Sequence, residues 1–312
     1  EADVLVENFK PGTLEKWGLG PDDLHEINPG LIIGRISGYG QTGPYADRPG
    51  FASVGEAMSG MRYINGFPDM PPPRNGISLG DTLTGMFAAQ GILMALYQRD
   101  ALGGGKGQVV DAAITESCFQ LMEGTLPEYD KAGIVRKPSG TGLPNVAPSN
   151  IYPTKDGNYV VIAANIDPMY RRLCTAMDKP ELADDPRFVD HKARGENAEE
   201  LDGIIGDWSS TMSAAELTKH LDDHGVVVGP INSIADLVKD PHFQARDMFL
   251  TVKDDFFGDF KVPGFAPKLT ETESSVAWLG PPDVGAHNRE IYGDLLGMSQ
   301  DDLKALAADG II

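Results

Sequence analysis

One carboxylate stands where its chemistry could be used. Asp81 lies between Gly80 and an apolar-periodic stretch at 82–99. An aspartate at such a boundary is a natural helix N-cap, with its oxygen accepting from backbone N–H groups. The same setting suits a nucleophile. Gly80 removes a side chain beside the carboxylate, so a substrate can approach. The positive end of the helix favours the ionised form that a carboxylate nucleophile needs. Free N–H groups of the first turn can stabilise a developing oxyanion. Position alone does not separate capping from covalent catalysis.

Other suggestive spacings have plainer explanations. Gly38-Tyr39-Gly40-Gln41-Thr42-Gly43 matches G-x-G-x-x-G, but Pro44, Pro49 and Gly50 follow where a dinucleotide site needs a helix to begin. Gly105-Lys106 resembles the end of a phosphate loop, yet position 107 is Gly and the order is helix then strand, so a tight turn is the better reading. His220 and His224 have i, i+4 metal-ligand spacing without H-E-x-x-H or an identifiable third ligand. They read as part of a solvated helix, and no metal is expected. Cys118 and Cys174 lack an electropositive setting. Both cysteines sit in helical segments and read as buried, reduced thiols.

The elements that must position Asp81 follow an α/β rhythm. A strand is expected at 2–7, a helix at 22–27 stopped by Asn28-Pro29-Gly30, and a strand at 31–36. A Gly- and Pro-rich loop covers 37–50, and 53–61 suits a helix. The clearest helix spans 82–99, where Leu83, Met86, Phe87, Leu93, Met94 and Tyr97 recur at close to helical spacing and mark its apolar face. A strand at 108–112 and an apolar helix through Cys118, Phe119 and Leu121 follow. Residues 133–150 read as a linker or functional loop. Beyond it come a strand at 159–163, a helix opened by the capping box Ser213-Ala214-Ala215-Glu216, and a strand at 226–228 ended by Gly229-Pro230. From residue 241 the tail is loop-rich, with a last helix at 299–308.

Bulk properties narrow the function. Hydrophobic residues make up 41% and charged residues 23% of 312, an ordinary balance for a globular protein. No apolar run approaches bilayer-spanning length and no signal-peptide pattern is present, so a cytoplasmic location is expected. The net charge of −20 opposes binding to nucleic acid or an anionic membrane. An anionic ligand would require a local cationic patch.

Four segments in order carry a resemblance. They are Ala2-Asp3-Val4-Leu5-Val6-Glu7-Asn8-Phe9-Lys10-Pro11-Gly12, Ser37-Gly38-Tyr39-Gly40-Gln41-Thr42-Gly43-Pro44, Gly80-Asp81-Thr82-Leu83-Thr84-Gly85, and Gly105-Lys106-Gly107-Gln108-Val109-Val110-Asp111. Through them the chain resembles the family III coenzyme A transferases, the group of formyl-CoA and carnitine CoA-transferases. The resemblance implies that Asp81 is the nucleophile, passing through an acyl-aspartyl anhydride and an aspartyl-CoA thioester. It implies no metal or permanently bound cofactor, with CoA thioesters and small carboxylates as substrates. Asn8, Phe9 and Lys10 match the family's nucleotide loop. Lys16 stands where many members have Arg, and Arg48 is the nearest cation in the next contact region. Phe51 replaces a Tyr of the formyl-CoA transferases, which argues against formyl/oxalate specificity.

The implied fold is a Rossmann-like large domain built from both chain ends, with an inserted small α+β domain. Residues 1–140 and 241–312 would form the large domain and 141–240 the small one. Family members form interlocked homodimers. Ser139-Gly140-Thr141-Gly142 falls where formyl-CoA transferases carry a mobile glycine-rich loop, but a plain linker fits equally well. Members also begin well upstream of Glu1, so part of the CoA pocket is expected to be missing. The leading expectation is CoA transfer from a succinyl-CoA-like donor to a carboxylic acid whose identity the sequence does not specify. An α-methylacyl-CoA racemase is a rival, opposed by Phe51 where that branch carries His. A non-catalytic CoA-binding remnant is another.

Overall fold

The computed structural model describes residues 2–254, 256–281 and 283–312. The chain divides into two compact units, Glu1–Pro230 and Ile231–Ile312. The first begins with β1 (Val4–Glu7), α1 (Thr13–Lys16), α2 (Pro21–Ile27) and β2 (Ile32–Ser37). It continues with α3 (Ala52–Met58), α4 (Met61–Ile64), α5 (Leu79–Asp100), β3 (Val109–Ala113), α6 (Ile114–Phe119) and α7 (Thr125–Ala132). The helix expected at 53–61 is interrupted after Met58, because Gly60 adopts a left-handed φ of 89° and restarts the chain as α4.

The strands form a parallel sheet in the order β1-β2-β3, with Val4 opposite Ile32 and Ile33 opposite Val109. Helix α5 crosses back over it between β2 and β3, packing on both strands, α3 and α6. Its buried face consists of Gly80, Thr84, Ala88 and Ala95. A Cβ at Gly34 of β2 would lie 2.8 Å from Ile92 Cδ1, and one at Gly91 would lie 2.7 Å from Val110 Cγ1. Each glycine thus makes room for a branched side chain of the facing element, Gly34 for Ile92 and Gly91 for Val110. The large apolar residues whose spacing marks the helix lie mostly off this interface. Met86, Leu93, Met94 and Tyr97 are 65%, 66%, 61% and 63% exposed. By length and composition alone α5 could cross a bilayer, contrary to the expectation that no apolar run approaches that length. In the fold its small-residue face is committed to the sheet.

Residues 149–230 build a second sheet within the same unit. Strands β4 (Ser149–Pro153), β5 (Tyr159–Ala163) and β6 (Val227–Pro230) pair antiparallel in that order. Strand β6 runs through Gly229-Pro230 rather than stopping before it, since Pro230 lies opposite Val160. Helices α8 (Asp167–Ala176), α9 (His191–Glu196), α10 (Ala198–Ser209) and α11 (Ala214–Asp223) surround a core containing Ile162, Leu173, Phe188, Leu201, Ile205 and Leu217. Arg194 is buried in this region with four acceptors: the carbonyls of Ala147, Phe188 and Asn165 and the carboxylate of Asp167. Its charge is thus paired and its donors are used, as burial requires.

The second unit contains α12 (Ile234–Leu237), α13 (Pro241–Ala245), the hairpin β7 (Phe249–Asp254) and β8 (Gly258–Pro263), and α14 (Gln300–Ala308). Ser233, Asp240 and Ser299 cap its helices with side-chain oxygens.

Two substitutions in α5 test the close helix–sheet contact. Gly85 has no atom within 4 Å of a built Cβ. Gly85→Ala should stabilise by up to about 1 kcal/mol through helix propensity. Gly91→Ala should instead destabilise by about 1–3 kcal/mol, because Val110 is a stiff β-branched neighbour. Denaturant melts would read both changes, and a stabilising Gly91→Ala would show that the interface has slack.

Candidate active site

In a parallel sheet the carboxyl ends of all strands share one edge, where α/β folds commonly place ligands. Here that edge carries the 8–12 loop after β1, the 38–51 loop after β2, and α6 after β3. Because β2 lies between β1 and β3, the first and last of these are about two strand spacings apart, or about 10 Å.

The loop after β1 is held by a buried charge network. Arg35 Nε donates to Glu7 Oε1 at 2.7 Å, and its Nη1 donates to Glu15 Oε1 at 2.7 Å. Glu7 Oε2 accepts from Phe9 N at 2.7 Å. One guanidinium thereby joins the end of β1, the start of the loop and α1. The hydrogen bond from Arg35 holds the Glu15 carboxyl below its ordinary range. Phe9 packs edge-on against Trp17, with ring centroids 5.2 Å apart. Asn8, Lys10 and Lys16 are exposed, Lys16 in the last turn of α1.

The loop after β2 turns back so that Gly38 and Gly50 nearly touch. A Cβ on Gly38 would lie 2.8 Å from the Gly50 Cα. Gln41 N donates to Asp111 Oδ2 at 2.9 Å, tying the loop to β3. Gly38–Gly43 is thus a crossing loop and no helix starts there. Arg48 lies 3.8 Å over the Tyr45 ring. Phe51 is the N-cap of α3 and is 78% exposed.

Helix α5 brings Asp81 to this edge. A Cβ at Gly80 would lie 3.3 Å from Ile114 Cγ2 and 3.4 Å from the Ala52 Cα, so the helix start is wedged between α6 and α3. The expected N-cap role of Asp81 is corrected. Ser78 is the N-cap and makes no side-chain capping bond, and the helix begins at Leu79. Asp81 is the third helical residue and its side chain is exposed. The helix has recruited its cap from elsewhere. Glu56 of α3, 1% exposed, accepts the Gly80 N–H through Oε1 at 3.3 Å. Its Oε2 accepts from Arg62 Nε of α4 at 3.2 Å. Thr82 N–H is taken by the Ser78 carbonyl, leaving the Leu79 and Asp81 N–H groups without an acceptor among the described residues.

Cys118 completes the neighbourhood. Burial pushes its thiol up, with further contributions from the negative charges of Glu56 and Asp81. Cys174 is likewise raised by burial, and both cysteines are free and buried. The histidine pair has ordinary partners. His220 Nε2 lies 2.8 Å from the Ala176 carbonyl, and His224 Nδ1 lies 2.8 Å from the His220 carbonyl. Among the described residues no group of three or more His, Cys, Asp or Glu is placed to hold a metal.

The structure therefore puts Asp81 and Phe51 on adjoining elements and Asn8, Phe9, Lys10, Lys16 and Arg48 on loops or helices at the same sheet edge. Sequence reasoning overlooked Glu56 and Arg62. Their signal was present: Glu56 is a lone acid among Val54, Gly55, Ala57 and Met58, and Arg62 follows six residues later.

This frame has known counterparts. The description "CoA-transferase family III" matches residues 1–288. The chain belongs to this family. It is 52% identical over 310 residues to the succinyl-CoA–D-citramalate CoA-transferase of Chloroflexus aurantiacus, covering 99% of this chain and 76% of that protein. It is 39% identical to the succinyl-CoA–L-malate CoA-transferase alpha subunit of the same species, covering 100% of this chain and 72% of that one. The crystal structure of a CAIB/BAIF family protein from Brucella suis superposes with a TM-score of 0.80 at 32% identity, covering 94% of this chain and 75% of that one. The family III enzyme is a CoA-transferase with a mixed α/β fold, and CoA thioesters are its substrates.

Removing the recruited cap tests its weight. Glu56→Ala would strand the Gly80 N–H and a largely buried guanidinium, costing about 2–4 kcal/mol. Glu56→Gln, which still accepts from Gly80, should cost less, as read by thermal or denaturant melts. The raised thiol gives a second test. Cys118 in the native protein should resist iodoacetamide at pH 8 and react after unfolding. Rapid native-state alkylation would contradict its burial.

Proposed function

We propose that this CoA-transferase moves CoA from a small dicarboxylyl-CoA, with succinyl-CoA as the first donor, to a carboxylic acid, using Asp81 as nucleophile. The observation that carries this reading is an exposed carboxylate in the first turn of a helix whose start is anchored by buried Glu56. The two Chloroflexus relatives support the donor class, since both are named as succinyl-CoA transferases.

The steps balance as acyl exchanges. An Asp81 oxygen attacks the donor thioester, expelling CoA thiolate and forming a mixed anhydride. The thiolate attacks the aspartyl carbonyl, releasing the donor acid and leaving an aspartyl-CoA thioester. The acceptor carboxylate attacks that carbonyl and again expels thiolate, giving a second anhydride. The thiolate then attacks the acceptor acyl carbon, forming the new CoA thioester and restoring Asp81. Holding these intermediates at the enzyme keeps the activated acyl group from hydrolysis. The Leu79 and Asp81 N–H groups are candidates to receive the developing oxyanion.

In this reading Lys10 and Lys16 meet phosphates of the nucleotide, Asn8 and Phe9 line its loop, and Arg48 and Phe51 border the path towards Asp81. Lys16 acts as a point charge without the two-pronged geometry of Arg. Phe51, on the element packed against Gly80, has no group to exchange an α-proton, so the racemase alternative lacks a base there. The proposed assembly is an interlocked homodimer. Residues 1–140 and 241–312 contribute to a Rossmann-like large domain and 141–240 to a small one. The outward apolar face of α5, including Met86, Leu93 and Tyr97, supports burial against a second copy.

Replacing Asp81 with Asn should lower CoA transfer from succinyl-CoA by at least about 10³-fold, comparable with loss of other essential nucleophiles. Transfer at the wild-type rate would refute the mechanism. CoA binding by the wild-type protein with no transfer to any carboxylate in a broad panel would favour a non-catalytic remnant.

A further inference from the structure

The guanidinium of Arg62 is incompletely used. Its Nε donates to Glu56, while buried Nη2 has no partner. Among the described residues no acceptor is found for Nη1 either, leaving the Nη1–Nη2 edge of the fork unfilled. Buried donors ordinarily find acceptors, so an orphan here points to a missing group. Several other arginines of the same unit have carboxylate partners. Arg35 holds Glu7 and Glu15; Arg99 holds Asp3, Asp100 and the Gly30 carbonyl; and Arg136 holds Glu128 with Glu123 nearby.

Place and chemistry narrow the missing group. Glu56 alone bridges Arg62 to the Gly80 N–H, one residue before Asp81. The free guanidinium edge presents parallel N–H donors, which match the two oxygens of a carboxylate. The Arg62 side chain as a whole retains 22% exposure. Because Glu56 occupies Nε and also serves the helix end, it does not fill the fork.

We propose that Arg62 is a specificity residue whose Nη1–Nη2 edge binds the distal carboxylate of a dicarboxylyl substrate while Asp81 engages its thioester. This assignment rests on the transfer reaction proposed above and identifies the residue that makes it selective for dicarboxylates. A four-carbon diacid places its second carboxylate two methylene groups from the thioester carbonyl, and Arg62 would meet it from α4. A monoacyl chain with a terminal methyl would leave the guanidinium unfilled. Sites built around a buried hydrogen-bonding group discriminate strongly against ligands lacking its partner.

The test compares succinyl-CoA with butyryl-CoA, in which a methyl group replaces the distal carboxylate. Arg62→Met should reduce the kcat/KM ratio for succinyl-CoA over butyryl-CoA by about tenfold or more, given the strength of hydrogen bonds to charged groups. Arg62→Lys, which keeps the charge but loses the fork, should lie between wild type and Arg62→Met. An unchanged ratio, with both donors falling together, would overturn the assignment and leave Arg62 only as support for Glu56. A measurement on the wild-type protein guards against a misfolded variant: succinyl-CoA should protect Arg62 from phenylglyoxal, mapped by peptide mass, more than butyryl-CoA does. Equal protection would overturn the proposal. Failure of the wild-type protein to transfer CoA from either donor would remove the underlying reaction and this assignment with it.

Discussion

The buried Glu56 carboxylate is the contact on which the arrangement around Asp81 depends. A helix begins with N–H groups that lack intrahelical acceptors, and a cap normally comes from the residue at its own boundary. In α5 that boundary residue, Ser78, does not cap. Glu56 reaches across from α3 instead, and Arg62 balances its charge from α4. Three elements separated in sequence are thereby fixed around one carboxylate. The outcome also frees Asp81. A capping aspartate would spend its oxygens on the helix, whereas Asp81 is the third helical residue and its side chain is exposed.

Much of this was legible because local chemistry dictated it. The Ser213 capping box, the strand Tyr159–Ala163 and the strand–helix–strand opening appear where their residue patterns placed them. The misses have physical causes. Strands β7 and β8 are held by paired backbone groups, but β8 is largely exposed and carries Asp259 and Lys261, so it lacks a clear apolar alternation. Periodicity identified α5 but not its sheet-facing side, because large apolar residues dominate the pattern while the buried positions are Gly80, Thr84, Ala88 and Ala95. Asp81 stood out through the ordered motifs of the resemblance, its helix-start position alone being ambiguous; the contacts of Glu56 and Arg62 required the tertiary fold that brings α3 and α4 to that start.

Charge sets a further constraint. A chain with net charge −20 must bind CoA, itself a polyanion. Exposed Lys10 and Lys16 follow β1, while Arg48 lies in the next loop. The buried Glu7–Arg35–Glu15 network holds the first of these segments in shape without presenting Arg35 to solvent. The buried network keeps the backbone that carries Lys10 and Lys16 in place.

The central claim is that Asp81 becomes covalently engaged during CoA transfer. The most direct measurement is peptide-resolved mass spectrometry after the protein meets succinyl-CoA and is quenched with hydroxylamine. The account predicts a hydroxamate on the peptide containing Asp81, absent without the thioester. A protein that turns over while Asp81 remains unmodified, with the adduct on another residue, would contradict it.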